Sequence, residues 1–89
     1  MSSLVSVIIP YYKKEKYIEK TIKSILQQTY RKFELIIIDD ENTKFSKKLL
    51  TNIKKKDKRI KLFFNLKNLG AGRSRNKGMK IARGKFLAF

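Results

Sequence analysis

Two short apolar stretches stand out in an otherwise lysine-rich chain, and both predict buried β-strands. Leu4 to Ile9 is rich in β-branched residues and ends at Pro10, and Phe33 to Ile38 ends at a pair of aspartates. Neither stretch alternates strictly between apolar and polar residues, which is typical of strands covered on both faces in a parallel sheet. Ile60 to Phe64 and Lys85 to Phe89 are weaker candidates for a third and a fourth strand.

Between these strands, apolar residues recur at the spacing of helices that pack on a sheet. In the first interval they are Ile18, Ile22, Ile25 and Leu26. In the second they are Phe45, Leu49 and Ile53, with Thr43 or Ser46 as the expected N-cap. The third interval, Arg73 to Ala82, follows a glycine-containing break and predicts a third helix.

The resulting order, βαβαβαβ, has the spacing of repeated βαβ units. It predicts an α/β fold with a Rossmann-like parallel sheet and right-handed crossovers, formed by one domain over residues 1–89. The last strand candidate stops at Phe89 without a turn or cap. We therefore expect these residues to be the N-terminal part of a larger domain, cut within its fourth strand.

Composition limits the chemistry that is available. The chain has neither cysteine nor histidine, so carboxylates, hydroxyls and cations must carry any activity. Its 23 lysines and arginines against seven acids give a net charge of +16, which favours polyanionic partners such as nucleic acid, anionic lipid or phosphate-bearing ligands. No apolar run reaches the roughly 20 residues of a membrane-spanning helix, and we expect a cytoplasmic protein, with peripheral membrane contact left open.

The ends of the first two strands carry the best candidates for a binding site. Ligands of open parallel sheets bind at the carboxyl ends of the strands, and here one strand runs into Pro10-Tyr11-Tyr12 and the other into Asp39-Asp40. Tyrosine can stack on a nucleotide base, and aspartate can accept hydrogen bonds from a base or a ribose. The alternatives are ordinary packing for the tyrosines and a simple turn for the aspartates.

Two cationic segments add further candidates. Around Gly70, Arg73 and Arg75, glycines and arginines coincide with an expected helix start, which suits phosphate binding, although solvated arginines explain the same pattern. The spacing matches neither the dinucleotide fingerprint nor the Walker A loop. The lysine run from Lys54 to Lys56 is explained by a solvated helix end or by contact with anionic lipid.

Taken together, these segments resemble the family 2 glycosyltransferases, which have the GT-A fold. The resemblance covers nearly the whole chain in order and spacing. The matching segments are Val5 to Tyr12, Ser24 to Thr29, Ile38 to Asp40, Asn68 to Gly70, Ser74 to Gly78 and Ala82 to Gly84. The chain departs from the family pattern at Lys13, where asparagine is usual, and at Glu41-Asn42, where Gly-Ser is usual.

The resemblance implies a nucleotide-sugar site and a role for each matching residue. Pro10, Tyr11 and Tyr12 would border the base, Asp40 would bind the edge of a uracil-type ring, and Asp39 would support that turn. Glu15 would touch the ribose. Gly70, Arg73 and Arg75 would lie near the diphosphate.

The resemblance also implies the reaction and the partners. The family transfers a sugar, with inversion, from a nucleotide donor to a saccharide or lipid-linked acceptor, and a UDP-sugar donor and bacterial surface glycan synthesis are expected here. The divalent metal, Mg or Mn, is held in the family by an Asp-x-Asp motif that follows the fourth strand, and a carboxylate base comes later. Neither is encoded in these residues, so the piece is expected to be inactive alone.

Two rival interpretations remain. The charge alone favours a basic nucleic-acid or polyanion-binding module, although no RNA-recognition, helix-turn-helix or OB motif is present. The second is a non-catalytic remnant of a larger domain. Loss of the rest of the domain would uncover one flank of the sheet, so self-association or limited stability is expected of the cut domain.

Overall fold

The computed structural model describes residues 3–88, and side chains within that range up to Lys85. It contains four strands and three helices in strict alternation. They are β1 (Val5–Tyr11), α1 (Ile18–Leu26), β2 (Phe33–Asp39), α2 (Lys44–Lys54), β3 (Ile60–Phe64), α3 (Ala71–Ile81) and β4 (Lys85–Ala88). The predicted βαβαβαβ order is therefore confirmed, and only Phe89 of the predicted strands lies outside the described residues.

The four strands form one sheet in the order β3-β2-β1-β4, and every pairing is parallel. The two strands predicted most strongly from the sequence occupy its centre. All seven residues of β2 are buried, as expected for a strand with neighbours on both sides and helices on both faces. The Rossmann-like sheet inferred from the apolar runs is confirmed.

The helices divide between the two faces of the sheet because side chains alternate along a strand. Val7 and Ile9 face the layer of α1 and α2, where they join the larger apolar core. Ile8 and Ile36 face the other way, against residues of α3 such as Met79. The described part of the chain contains no helix long and apolar enough to cross a membrane.

The second helix exists as predicted, and of the three residues predicted for its buried face Leu49 and Ile53 pack on the core, whereas Phe45 does not. Ile53 is buried as expected, whereas Phe45 is 58% exposed and Ser46 and Leu50 take the inward positions. A hydrogen-bonded capping box fixes this rotation: the Thr43 hydroxyl accepts from the main-chain N–H of Ser46, and the Ser46 hydroxyl accepts from that of Thr43. Of the two N-cap candidates, Thr43 is the N-cap, and Ser46 is the third residue of the helix.

Helix α3 approaches the sheet closely at Gly78. A Cβ atom at this position would lie 2.4 Å from Cγ2 of Ile8, a fully buried core side chain. Glycine is therefore needed for packing here and not for its backbone freedom. This contact holds α3 against β1 and so sets where the amino end of α3 lies.

Candidate functional site

The two strand ends that carry the candidate residues lie side by side. Tyr11 pairs with Asp39 in the β1–β2 register. The main-chain N–H of Asp40 donates to the carbonyl oxygen of Tyr11 at 2.9 Å. The predicted juxtaposition of the tyrosine-bearing turn and the acidic pair is confirmed.

The two aspartates point to opposite faces of the sheet, because they are consecutive residues at a strand end. Asp39 turns toward α2, where one carboxylate oxygen accepts from the main-chain N–H groups of Glu41 and Asn42 and the other from the Ser46 hydroxyl at 2.8 Å. It is fully buried. Asp39 thus fastens the turn after β2 to the first turn of α2.

Asp40 turns toward α3 and fastens the loop before that helix. Oδ1 accepts from Nδ2 of Asn65 at 2.8 Å and from the N–H of Leu69 at 2.7 Å. Oδ2 accepts from the N–H of Gly70 at 2.9 Å and from Nδ2 of Asn68 at 3.0 Å. Burial raises the pKa of this carboxyl, but the donors from Leu69, Asn65 and Gly70 outweigh it and hold the pKa below its ordinary value.

This geometry differs from the expectation that Asp40 faces a base. The side chain is 2% exposed, and both of its oxygens are occupied by protein donors. Its contact with a nucleotide base stays a prediction. Through these hydrogen bonds, Asp40 fixes the positions of Leu69 and Gly70.

A cavity of about 530 Å³ opens where β1 ends and α3 begins. Five of the nine predicted site residues line it: Pro10, Tyr11, Tyr12, Gly70 and Arg75. The other four, Glu15, Asp39, Asp40 and Arg73, are not part of its lining. Glu15 and Arg73 are exposed, and both aspartates are buried.

Several lining residues were missed by the sequence analysis. Ile18 and Thr21 belong to the side of α1 that faces the cavity, and Tyr17 and Lys14 come from the turn before it. Asn68 lines the cavity from the loop before α3. Their signal was positional: the segment after a strand end in an open parallel sheet borders the same crevice as the strand end itself.

The two tyrosines occupy different environments. Tyr12 is 43% exposed, with the ammonium of Lys13 at 5.3 Å from the ring centroid. Tyr11 has no exposed surface, belongs to the apolar core, and its hydroxyl has no hydrogen-bond partner within the described residues. Burial, together with the negative charges of Glu41 and Glu15, raises the pKa of Tyr11 to about 12.

Gly70 sets the direction of the loop at the opposite wall. It is the N-cap of α3 with φ of 89°, a conformation that residues with a side chain rarely adopt. Gly70 has no side chain with which to cap the helix, and its own N–H donates to Asp40 Oδ2. An N-terminus of this kind favours anions, and Arg75 adds a half-buried cation.

The two departures from the family pattern touch each other. The main-chain N–H of Lys13 donates to Oε1 of Glu41 at 3.0 Å, and the Thr43 hydroxyl donates to Oε2 at 2.7 Å. Lys13 and Asn42 have φ of 49° and 56°. The substitutions therefore form a local pair that joins the turn after β1 to the turn after β2.

The described residues do not fit a metal ion. No group of three or more acidic side chains converges within residues 3–88. The carboxylates of the adjacent Asp39 and Asp40 diverge and already accept hydrogen bonds from the protein. No metal-dependent step can be derived from these residues.

Curated relatives extend over the same stretch. The putative teichuronic acid biosynthesis glycosyltransferase TuaG of Bacillus subtilis is 41% identical over 86 residues. The match covers 97% of this chain and 34% of TuaG. The chain thus spans about a third of the length of that relative.

Solved structures share the fold. The mannosyltransferase PcManGT from Pyrobaculum calidifontis, in complex with GDP-Man and Mn2+, superposes with a TM-score of 0.83 at 22% identity. TarS of S. aureus in complex with UDP-GlcNAc superposes with a TM-score of 0.79 at 30% identity. Each match covers 94% of this chain and 26% of the solved one. Because the model of the family described as glycosyl transferase family 2 also matches residues 6–89, this chain belongs to that family.

Proposed function

We propose that this chain forms the nucleotide-binding part of an inverting glycosyltransferase. The donor is a nucleoside diphosphate sugar, with uridine diphosphate as the expected carrier, and the acceptor is a saccharide or a lipid-linked glycan of the bacterial surface. One observation carries the proposal: the cavity at the strand ends is bounded by tyrosines on one side and by Gly70 and Arg75 on the other. The TarS complex with UDP-GlcNAc and the TuaG relative support the choice of donor and glycan.

The walls of the cavity suggest how the donor lies. Pro10 and the half-exposed ring of Tyr12 offer an apolar surface on which a base can stack. The diphosphate belongs at the amino end of α3, where the free N–H groups after Gly70 and the guanidinium of Arg75 favour negative charge. Arg73 lies in the first turn of α3 but is exposed, so it would reach a phosphate only from the solvent side, as Glu15 would reach the ribose.

In this proposal the two aspartates hold the segments next to the cavity and do not line it themselves. By holding Leu69 and Gly70, Asp40 keeps the loop open toward the cavity. By holding the turn at Glu41, Asp39 keeps the strand end and α2 in register. In this proposal both residues position the site, and a direct contact of Asp40 with the base requires it to exchange protein donors for a ligand donor.

The chemical step needs groups beyond these residues. An acceptor hydroxyl displaces the nucleoside diphosphate at the anomeric carbon, which requires a base for the hydroxyl proton and a cation for the leaving diphosphate. Of the described residues, Arg75 and the amino end of α3 supply positive charge for the diphosphate. We propose that the metal and the base of the whole enzyme come from other parts of its domain, and that these 89 residues alone bind the donor without turning it over.

Nucleotide titration tests the proposal directly. Isothermal titration of the chain with UDP, GDP and ADP at two salt concentrations should show saturable binding with a base preference. Arg75→Ala should weaken UDP binding at least about tenfold, since it removes a charge-assisted contact. Lys80→Ala is the matched control, because Lys80 is exposed on the last turn of α3 and lies outside the cavity lining.

The same titration separates the rival functions. Binding of single-stranded RNA with a steep salt dependence and no base preference would favour a polyanion-binding module. If the chain binds neither the nucleotides nor RNA, the result would favour a non-catalytic remnant. Transfer of sugar by the purified chain would contradict the proposed inactivity of this part alone.

Peripheral contact with an anionic membrane is a further part of the proposal. In the cationic run from the end of α2 onward, Lys56 pairs with Glu19 at 3.7 Å, Arg59 with Asp57 and Lys61 with Glu34. Lys54 to Lys56 and Lys58 are exposed. Each lysine near an anionic bilayer contributes about 1 kcal/mol. Sedimentation with phosphatidylglycerol vesicles should remove the chain from the supernatant, whereas sedimentation with phosphatidylcholine vesicles should not.

Self-association through a strand edge is also proposed. The described sheet ends on one side at β3 and on the other at β4, and parallel edge strands present unpaired N–H and C=O groups. Light scattering should report a mass above that of a monomer. A uniform monomer at high concentration would refute this part.

A further inference from the structure

We infer that the outward face of α2 is the surface by which this chain lies on an anionic lipid bilayer, with the ring of Phe45 inserted among the headgroups. The inference deepens the membrane contact that is part of the proposed function, because it names the face that meets the lipid and orients the cavity relative to the bilayer. It does not depend on nucleotide binding, so the two can fail separately.

The side chains of α2 divide between two sides of the helix. The buried side packs on the sheet and consists of Ser46, Leu50 and Ile53. At 3.6 residues per turn, Lys44, Lys48 and the C-cap Lys55 project from the opposite side, and all three are exposed. These three form the basic row. Because α2 contains no acidic residue, the charge of its outward face is uniformly positive.

The basic row is not neutralised within the fold. Among residues 3–88 its lysines make no ion pair, since the pairs there belong to Lys56, Arg59 and Lys61. Lys44 also lies in the first turn of α2, where the helix dipole disfavours positive charge, and lysines three or four residues apart repel each other. An anionic surface would remove this cost.

Aromatic side chains border the row. Phe45 is 58% exposed on α2, and Phe64 is exposed at the end of β3, with the ammonium of Lys47 at 5.9 Å from its ring centroid. Helices that lie in a membrane interface combine lysines with phenylalanine in this way. Helix α3 is also cationic, but none of the large exposed apolar side chains among the described residues belongs to it. The combination therefore selects α2.

The shape of the face fits a bilayer. From Lys44 to Lys55 the row runs along the helix for about 16 Å, and the outer side of a helix is convex. A flat anionic surface can meet such a row along its whole length. Single-stranded nucleic acid is instead bound in a cationic groove with several stacking rings, which the outward face of α2 does not provide.

A bilayer on this face leaves the nucleotide cavity open. The cavity lies between the end of β1 and the start of α3, and no residue of α2 lines it. Helix α2 covers one face of the sheet and α3 the other. Because α2 begins just after β2 ends, the cavity lies at the same edge of the sheet as the amino end of α2. A lipid-linked acceptor in the same bilayer would therefore approach the cavity from the side.

Tryptophan fluorescence tests the insertion, because the chain has no tryptophan of its own. On phosphatidylglycerol vesicles with brominated acyl chains, the emission of Phe45→Trp should shift to the blue and be quenched. Asn76→Trp is the matched control, since Asn76 is exposed on α3 and is also uncharged. Its emission should stay unchanged on the same vesicles.

Paired substitutions test the basic row. Lys48→Gln with Lys55→Gln should weaken partitioning to phosphatidylglycerol vesicles about thirtyfold, which corresponds to about 1 kcal/mol for each lysine. Lys80→Gln with Arg83→Gln removes the same charge from exposed positions at the end of α3 and should change partitioning less than about threefold. Urea unfolding checks that both variants are folded.

The results separate the possibilities. Equal quenching at positions 45 and 76, or equal weakening by the two double variants, would show that the charge of the whole chain attracts lipid without a preferred face, and the inference would be wrong. It would also be wrong if the basic row were needed for binding single-stranded RNA and not for binding vesicles. If the vesicle results are as expected and no nucleotide binds, the proposed nucleotide site fails and the assignment of this face stands.

Discussion

Replacing Asp40 with asparagine is the sharpest test of how the loop before α3 is held. The substitution keeps the shape of the side chain but turns one acceptor oxygen into an NH2 group and removes the charge. In the folded chain the carboxylate accepts four hydrogen bonds, two on each oxygen. The amide oxygen can serve two of these donors, and the other two would face a group that is itself a donor.

The expected cost follows from those two lost bonds. A hydrogen bond to a charged group contributes about 1.5–3 kcal/mol, and an unpaired buried donor is penalised further. Because Asp40 is 2% exposed, water cannot readily replace the missing partners. We expect Asp40→Asn to lower the free energy of unfolding by about 3–5 kcal/mol, a large share of the about 5–15 kcal/mol that is typical of whole domains.

Urea unfolding followed by circular dichroism measures this loss, with hydrogen exchange at the Leu69 and Gly70 amides as a local readout. Glu41→Gln is the matched control. Glu41 also accepts two hydrogen bonds, but both are at the surface, so its loss should stay below about 1 kcal/mol. Equal losses in the two variants, or unchanged exchange at Gly70, would show that Asp40 does not hold the loop.

Three further predictions concern stability. Gly78→Ala should cost about 1–3 kcal/mol in urea unfolding despite the better helix propensity of alanine, because its Cβ would lie 2.4 Å from the Ile8 side chain; a stabilised variant would contradict the close approach of α3. Lys13→Asn should raise the free energy of unfolding by about 0.5–1 kcal/mol, and with it the melting temperature, since asparagine tolerates a φ of 49° better than lysine. An unchanged melting temperature would mean that the backbone strain at Lys13 does not affect stability. Burial raises the pKa of Glu34, but hydrogen bonds from Lys61, Ser6 and the Arg83 N–H outweigh it and lower the pKa below the ordinary value of 4.5. The ionised Glu34 should therefore stabilise the fold fully above pH 4.5, and this contribution should be lost as the pH falls through the lowered pKa. Urea midpoints measured against pH test this, and a Glu34→Gln variant with the same acid dependence as the wild type would refute it.

The candidate site could be predicted in part because strand ends are visible in a sequence. The apolar runs end at Ile9 and Ile38, and the strands continue only to Tyr11 and Asp39. Parallel pairing then brings these ends to one edge of the sheet. The direction of each side chain was not visible. Tyr11 and Tyr12 read alike as neighbouring aromatics, yet one is enclosed by the core and the other meets solvent.

The sequence by itself determined the order of elements, the parallel sheet and the family. These depend on local periodicity and on short motifs whose residues are close together in the chain. The tertiary structure decided which groups remain free for a ligand. Whether Asp40 faces a base or a loop depends on donors that come from 25 to 30 residues away, and whether Tyr11 is enclosed or exposed depends on how α1 and α2 cover it. Hydrogen bonding and burial are properties of surroundings that the folded chain assembles from distant segments.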